Sequence, residues 1–342
     1  MAERAQARPL SGVKLRRLGA QDLDAVVEID AQITGRSRRA YFERRLQAAL
    51  RAPTLNTQFA AEEDGVLEGY VLARKLEGEF GGVEPVLRLE VIGVRPGEQR
   101  HGYGDALLGA LEADARKHDV FELRTQAAWK EHAMLGFLDH AGFELGSNLV
   151  IDCEVHTGRV ASGDEEKVLA PEHQRFGDEN DYGDPHQTND FEALARDAAD
   201  VRSLERADLD EIVRIDRRIM DRDRRAYIGR VVDEALLDSA IRISLVAHQD
   251  QSSTGYIMAS VDFGDYGRTE PVAVVDTIGV DPGFTGAGVG TALLSQLLVN
   301  LEALRVERVA TVVARDNFDL LAFFYRAGFG PSQHLGFVKR LA

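Results

Sequence analysis

Apolar residues recur at helical spacing from Leu209 to Met220. Leu209, Ile212, Val213, Ile215 and Ile219 share one face there, which predicts an amphipathic helix with Asp208 as its N-cap. A second helix is expected over Arg222 to Ala240. Alternation from Ile241 to His248 predicts a strand, Gly255 to Asp262 another, and Gly264-Asp265-Tyr266-Gly267 the turn after it. Val272 to Val280 is nearly all apolar, as expected of a central strand covered on both faces. Pro282-Gly283 ends that strand, and Leu293, Leu294, Leu297, Leu298, Leu301 and Leu304 then stripe a helix over about Thr291 to Leu304. Val309 to Ala314 predicts a further strand, Phe318 to Ala327 a short helix closed by Gly328, and Leu335 to Lys339 a last strand.

The same order can be read earlier in the chain, because the sequence repeats itself. Asp22-Leu23-Asp24 returns as Asp208-Leu209-Asp210, and Arg38-Arg39-Ala40-Tyr41 as Arg224-Arg225-Ala226-Tyr227. Gly78-Glu79-Phe80-Gly81 returns as Gly264-Asp265-Tyr266-Gly267, Gly102-x-Gly104 as Gly288-x-Gly290, and Gly142-Phe143 as Gly328-Phe329. The offset is 186 residues each time. Solenoid units run to roughly 50 residues at most, so this is a duplicated domain. The expected fold class is α/β, with two tandem domains, each a mixed and mostly antiparallel sheet flanked by helices. The expected boundaries are 13–155 and 200–342, with a linker at 156–199. Between Ala161 and Asp190 nine acids face Lys167 and Arg175 alone, which reads as a solvated connector or an acidic docking strap.

Bulk properties narrow the partners. A formal net charge of -16 argues against nucleic acid and anionic membranes, and it favours cationic partners at long range. A single cysteine, Cys153, excludes an intrachain disulfide and a cysteine-based zinc site, which fits a reducing cytoplasm. His173, His186 and Asp181 lack ligand spacing, and no metal is expected. No signal-peptide core or membrane-length apolar run is seen, so the expected location is cytoplasmic, as a monomer or homodimer.

The segment Val280 to Thr291 joins the buried strand to the long helix. Its glycines allow a close backbone approach, and successive N–H groups at a helix N-terminus suit a pyrophosphate. A dinucleotide-type turn is disfavoured, because the strand is the third of an antiparallel meander and no acid follows at the required distance. Gln99-Arg100-His101-Gly102-Tyr103-Gly104 resembles the Gln/Arg-x-x-Gly-x-Gly/Ala motif of the GNAT superfamily of acetyl-CoA-dependent N-acetyltransferases. Thr285-Gly286-Ala287-Gly288-Val289-Gly290 is similar, with Thr285 departing from the pattern at its first position. Ile92-Gly93-Val94-Arg95-Pro96 and Ile278-Gly279-Val280-Asp281-Pro282 also resemble GNAT sequences.

The resemblance implies acetyl-CoA as co-substrate, held where the fourth and fifth strands splay apart. The implied cofactor contacts are Val94, Gln99, Arg100, His101, Gly102, Tyr103, Gly104 and Asp105 in the first copy. In the second they are Ile278, Val280, Thr285, Gly286, Ala287, Gly288, Val289, Gly290, Thr291 and Asn317. It also implies an amine acceptor, either a small molecule or a protein lysine. The other reading is a non-catalytic acyl-CoA sensor.

Acyl transfer to an amine needs a base, an oxyanion donor and an acid for the leaving thiolate. Tyr325, in Phe323-Phe324-Tyr325-Arg326, is similar to the GNAT catalytic tyrosine, and otherwise it is a tyrosine packed on the core. Its counterpart is Asp139, which cannot protonate a thiolate. Asp276 and Glu90 match in the fourth strand. An acid there needs either a task, such as taking the amine proton, or a salt-bridge partner. The oxyanion donor would be a main-chain N–H near Ile278 or Gly279. Arg36, Arg38 and Arg39 recur as Arg222, Arg224 and Arg225; they would bind an acceptor carboxylate or phosphate, or pair within each domain with Glu84, Glu270 or the acids of the Gly-acid-aromatic-Gly turns.

Overall fold

The computed structural model describes residues 12–82, 84–155, 199–237, 243–249 and 252–341. The linker lies almost wholly outside these, as do its docking-strap reading and His173, His186 and Asp181.

The first half runs β1 (Lys14–Arg17), α1 (Leu23–Thr34), α2 (Arg39–Arg51), β2 (Asn56–Glu63), β3 (Val66–Leu76), β4 (Val86–Val94), α3 (Tyr103–Lys117), β5 (Glu122–Ala128), α4 (His132–His140), β6 (Glu144–Leu145) and β7 (Asn148–Glu154). The second half repeats it as β8 (Asp200–Ser203), α5 (Leu209–Met220), α6 (Arg225–Leu237), β9 (Leu245–Gln249), β10 (Ser252–Asp262), β11 (Val272–Val280), α7 (Val289–Ala303), β12 (Arg308–Ala314), α8 (Phe318–Arg326), β13 (Gly330–Pro331) and β14 (His334–Arg340). The expected elements are all present, preceded in each half by a short strand that the apolar pattern does not signal. Asp208 does not cap α5. Its carboxylate accepts the Glu205 N–H at 2.8 Å and binds Arg202 at 2.6 and 2.9 Å, so it closes the turn before the helix.

The described residues form two seven-stranded sheets, and each is completed by the other half. Their orders are β1-β2-β3-β4-β5-β14-β6 and β13-β7-β12-β11-β10-β9-β8. Strand β14 pairs antiparallel with β5 from His334↔Ala128 to Arg340↔Glu122, and β7 pairs with β12 from Asn148↔Ala314 to Glu154↔Arg308. The exchange is buried as well as hydrogen-bonded. Ile151, Cys153 and Val155 enter the second half's core, and Leu341 enters the first half's. Apolar burial and the backbone ladder therefore both hold the halves together.

A reciprocal clasp adds to this. Buried Arg224 donates to Asp216 at 2.9 and 2.6 Å and to the Gly78 carbonyl of the first half at 2.6 Å. Arg38 binds Asp30 and the Gly264 carbonyl in the same way. Tyr70 and Tyr256 each donate their hydroxyl to the same aspartates at 2.8 Å. A Cβ on Gly78 would stand 2.8 Å from the Tyr227 ring, and one on Gly264 would stand 2.8 Å from Tyr41, so only glycine permits the approach.

This corrects the expectation for the repeated arginines. Arg38 and Arg224 are buried and bridge the halves. Arg222 reaches the Gly82 carbonyl at 2.7 Å, and Arg36 lies 3.5 Å from Glu270 of the other half. Arg38 and Arg224 each also pair with an aspartate of their own half, Asp30 or Asp216, whereas Arg39 and Arg225 pair within their own half alone, with Asp24 and Asp210.

Replacing Arg38 by Ala strips Asp30 of its counter-charge and leaves the Gly264 carbonyl unpaired. We expect urea denaturation to read a loss of about 3–5 kcal/mol, the range for breaking a buried pair.

Candidate functional site

The parallel pairing of the two central strands stops early in each half. β11 and β12 pair only at Ala273↔Val309, Val274↔Ala310 and Val275↔Thr311, and β4 and β5 only at Leu87↔Leu123 and Arg88↔Arg124. A threonine hydroxyl bonds across where the ladder ends: Thr311 donates to the Val275 carbonyl at 2.8 Å, and Thr125, one residue past the last rung, to that of Leu89 at 2.9 Å. Beyond it the strands diverge. Alternate main-chain N–H groups over 276–280 then face a fork with no strand opposite, which makes them available to a ligand.

Each fork begins at a bulge. Met258 pairs with Thr277 and Ala259 with Val275, so Asp276 is the extra residue; Leu72 pairs with Val91 and Ala73 with Leu89, so Glu90 is its counterpart. A bulge re-aims a side chain out of the pleat. Further along, a Cβ on Gly279 would lie 2.7 Å from the Tyr256 ring, and one on Gly93 would lie 2.6 Å from Tyr70. The tyrosines that brace the buried aspartates therefore also support the floor of each fork.

The two bulge acids have different surroundings. Glu90 is 1% exposed and bound by Arg88 at 2.8 Å and by Arg45, a closed ion cluster that also holds Asp265 at 3.1 Å from Arg88. At the repeat offset, Val231 and Val274 stand where Arg45 and Arg88 do. Asp276 is half-buried, with the Ser260 hydroxyl donating at 3.2 Å. Burial raises its pKa to about 7, with the Glu79 charge adding to the rise while Arg88, Arg74 and the Ser260 bond oppose it. An acid titrating near 7 is suited to accepting a proton at neutral pH.

The fork leads into the glycine loop. Gly286 and Gly288 adopt φ of 82° and 83°, and Gly288 precedes α7 with no side chain capping the helix. The N–H groups of Val289, Gly290 and Thr291 have no intrahelical acceptor, and they point outward with the positive end of the helix dipole. Gly102, at φ 93°, precedes α3 in the same way, freeing the N–H groups of Tyr103, Gly104 and Asp105. A Cβ on Gly290 would meet Phe323 at 3.4 Å, and one on Gly104 would meet Phe137 at 3.0 Å, so each loop packs against the short helix of its own half.

The remaining candidates divide between backbone and side-chain roles. Thr285, Gly286 and Ala287 are exposed, while the Ala287 N–H is already bonded to the Phe284 carbonyl at 3.2 Å. Ile278 and Val280 lie on β11 beyond the last rung, and Val94 is at the matching end of β4. The Val289 and Tyr103 side chains are buried under their helices, with the Tyr103 hydroxyl donating to Glu63. Gln99 donates to the Val94 carbonyl at 3.3 Å, His101 lies 3.1 Å from Glu98, and Arg100 takes φ 66° where the second loop has Gly286. Asp105, exposed in the first turn of α3, has Thr291 as its counterpart.

Tyr325 is 44% exposed on α8, so it is not a core residue, and Asp139 is likewise exposed on α4. Asn317 caps α8, its Oδ1 accepting the Leu320 N–H at 3.2 Å. Below the second loop, buried Asp281 accepts the Gly283 N–H at 2.9 Å and is bound by Arg214 and Arg218. Burial alone would raise its pKa, but these partners prevail and hold it low. Among the described residues no cluster of metal-ligating side chains occurs, and no helix is long and apolar enough to cross a membrane.

A profile for the Acetyltransferase (GNAT) family matches residues 23–143 and 208–329. Among solved structures, a tandem GNAT protein from the clavulanic acid biosynthesis pathway is 18% identical with a TM-score of 0.58, over 96% of this chain and 98% of that one. A GCN5-related N-acetyltransferase from Sphaerobacter thermophilus is 13% identical with a TM-score of 0.55, over 96% and 95%. A glucosamine N-acetyltransferase region in a fungal multi-domain GH3 β-N-acetylglucosaminidase is 12% identical with a TM-score of 0.63; the match covers 96% of this chain but only 38% of that larger one. A search of curated proteins found no significant match.

The raised pKa of Asp276 has a consequence for stability. The folded chain holds this proton up to about pH 7, while the unfolded chain releases it near 4, so stability present at low pH is lost as pH rises through that window. Asp276→Asn removes the loss. We expect the variant's melting temperature to exceed that of the parent by more at pH 8 than at pH 5, a gain of about 2 kcal/mol for a half-buried group. Equal differences at both pH values would contradict the assigned shift.

Proposed function

The chain belongs to the acetyltransferase (GNAT) family, and on that premise we propose that it transfers an acetyl group from acetyl-CoA to an amine, with the second half as the catalytic one. The observation that carries this reading is the coincidence, in one half, of an open fork, an uncapped helix N-terminus, a bulge acid without an arginine partner and an exposed tyrosine on α8. The first half has the fork and the helix, but its bulge acid is locked by Arg45 and Arg88 and its α4 carries Asp139.

In this reading the N–H groups of Val289, Gly290 and Thr291, with the loop from Thr285, hold the pyrophosphate of acetyl-CoA. The fork past Val275 receives the pantetheine arm, and the free strand N–H groups of β11 orient it. Asp276 takes one proton from the acceptor ammonium, directly or through a water, and the second proton, released by the nitrogen after it has bonded to carbon, restores the Tyr325 phenol once that has protonated the thiolate. The nitrogen then forms its bond to the thioester carbonyl carbon, and the main-chain N–H of Ile278 or Gly279 stabilises the oxyanion. When the carbon–sulfur bond breaks, Tyr325 gives its proton to the leaving thiolate. Fixing both partners at the fork supplies a further positional advantage.

The first half serves as a structural partner or as a cofactor site without turnover. Its loop sequence is the nearer to the family motif. Asp105 nevertheless puts a carboxylate in the first turn, where it competes with a bound phosphate for the helix end. The acceptor is a small amine or a protein lysine, and the compartment proposed is the cytoplasm.

Two measurements bear on this. Tyr325→Phe is expected to lower acetyl transfer by about tenfold or more, with acetyl-CoA affinity in calorimetry kept, since the phenol acts only on the leaving group. Unchanged turnover would remove Tyr325 from the mechanism. Gly290→Glu sets a carboxylate beside the free N–H groups and is expected to reduce turnover more than Gly104→Glu does. The reverse ranking would transfer catalysis to the first half.

A further inference from the structure

Past Val275↔Thr311 the strand β11 has lost its neighbour on one edge, so the ladder there comes from β10 alone. The segment is held instead from its covered face. Tyr256 on β10 stands directly opposite Gly279 on β11, and its ring fills the place a side chain at Gly279 would take. A Cβ there would lie 2.7 and 2.8 Å from two ring carbons, and 3.0 Å from the Ile219 Cδ1 in the last turn of α5. Gly279 is therefore clamped between a ring and a methyl group, and its peptide cannot move unless the ring moves.

The ring is fixed in turn at its far end. Tyr256 is buried and donates its hydroxyl to buried Asp216 at 2.8 Å. Burial, with the charge of Asp216 next, pushes the Tyr256 phenol above its ordinary range, so it stays protonated and keeps donating. Arg224 holds Asp216 at 2.9 and 2.6 Å and reaches across to the Gly78 carbonyl of the first half at 2.6 Å. Every step from Gly78 to the Gly279 peptide is thus a hydrogen bond or a contact between buried groups. A main-chain N–H stabilises an oxyanion only when it is already aimed at the place the oxygen will occupy. A misplacement of about 1 Å can cost about a hundredfold in rate. Rigid backing matters most where one edge of the strand is bare.

We infer that Tyr256 is a positioning residue for acetyl transfer. It sets the main-chain N–H at Ile278 or Gly279 against the thioester carbonyl, and through Asp216 and Arg224 it makes that setting depend on Gly78 of the first half. The inference rests on the acetyl-transfer reading above and adds to it a residue that touches neither substrate. The first half contains the same chain: Tyr70 stands opposite Gly93 and donates to Asp30, which Arg38 holds while reaching the Gly264 carbonyl. The two sets match in burial and in partners, so damage to either costs comparable stability. Only the set behind the working fork can alter the carbonyl of the bound donor.

The test uses the full chain and acetyl-CoA carrying a heavy-carbon label at the thioester carbonyl. Infrared difference spectra read the carbonyl band, calorimetry reads affinity, and thermal melting reads stability. In the parent the band of bound acetyl-CoA is expected below that of the free thioester, because an accepted hydrogen bond weakens the carbonyl stretch. Tyr256→Phe keeps the ring but frees it from Asp216; most of the downshift should be lost while affinity is kept. Tyr70→Phe should lower the melting temperature by a similar amount and leave the downshift in place. In Arg224→Lys a single ammonium replaces the fork that spans both Asp216 oxygens and the Gly78 carbonyl, and the downshift should again be lost. Arg38→Lys should keep it. A Tyr256→Phe chain with the parent's carbonyl band would overturn the inference, whatever its melting temperature. Equal losses in Tyr256→Phe and Tyr70→Phe, or a parent that binds acetyl-CoA with no downshift, would overturn it too. A downshift removed by Tyr70→Phe alone would instead sink the choice of the second half as the catalytic one. Failure of the parent to bind acetyl-CoA would sink the transferase reading itself.

Discussion

The rest of the structure depends on a buried aspartate in the first helix of each half. Asp30 and Asp216 each hold the arginine that leads into the second helix and a tyrosine from the third strand of the half. The arginine then extends to a glycine carbonyl of the other half, and the tyrosine ring lies under the glycine that floors the fork. One carboxylate thus fixes two helices, the sheet, the partner half and the site. A buried charge is tolerated only when it is paired and hydrogen-bonded. That requirement makes the whole set interdependent: no member can be removed without orphaning another.

The exchanged strands act in the same direction. Because β14 sits beside β5 and β7 beside β12, neither sheet is complete without the other half. The halves are also tied by ion pairs that have no counterpart at the repeat offset, such as Arg74 with Glu234 at 2.6 Å. The duplication is therefore symmetric in its framework and asymmetric in the charges laid on it. At the fork the asymmetry takes the form of Arg45 and Arg88 in one half and Val231 and Val274 in the other. With both arginines present, Glu90 is a paired structural acid; with valines at the matching positions, Asp276 keeps a pKa raised by burial, which the charges of Arg88 and Arg74 only partly oppose. The same polarity change recurs away from the fork. Arg95 with Glu28 in the first half becomes Asp281 with Arg214 in the second, an ion pair with its signs reversed.

These differences separate two like folds at one place. The fork, the bulge and the free helix N-terminus follow from backbone geometry, and they survive substitution as long as the glycines remain. Chemistry at the fork depends on a few side chains, and those diverged between the halves. In the first half the locked acid adds to the interface, through Arg88 and Asp265 of the other half. The acid at the same position in the second half, its pKa raised by burial, is a burden on stability at neutral pH.

The sequence by itself determined the duplication, the elements of each half, the two glycine loops and the pair of acids in the fourth strands. These features are local: apolar periodicity, turn glycines and a fixed repeat offset are all written within short windows. The contrast between Arg45 and Val231, and between Arg88 and Val274, was also legible in principle, because the offset aligns them. What it meant was not, since nothing in sequence says that a residue of α2 and a residue of β4 converge on Glu90. Only the tertiary structure decided that Arg38 and Arg224, each paired with a buried aspartate of its own half, also clasp a glycine carbonyl of the opposite half. It alone decided that the last strand of each half is exchanged. An isolated half offers β7 its own β5 as readily as the other half's β12, and long-range pairing is settled by which arrangement buries both cores at once, a property of the whole chain.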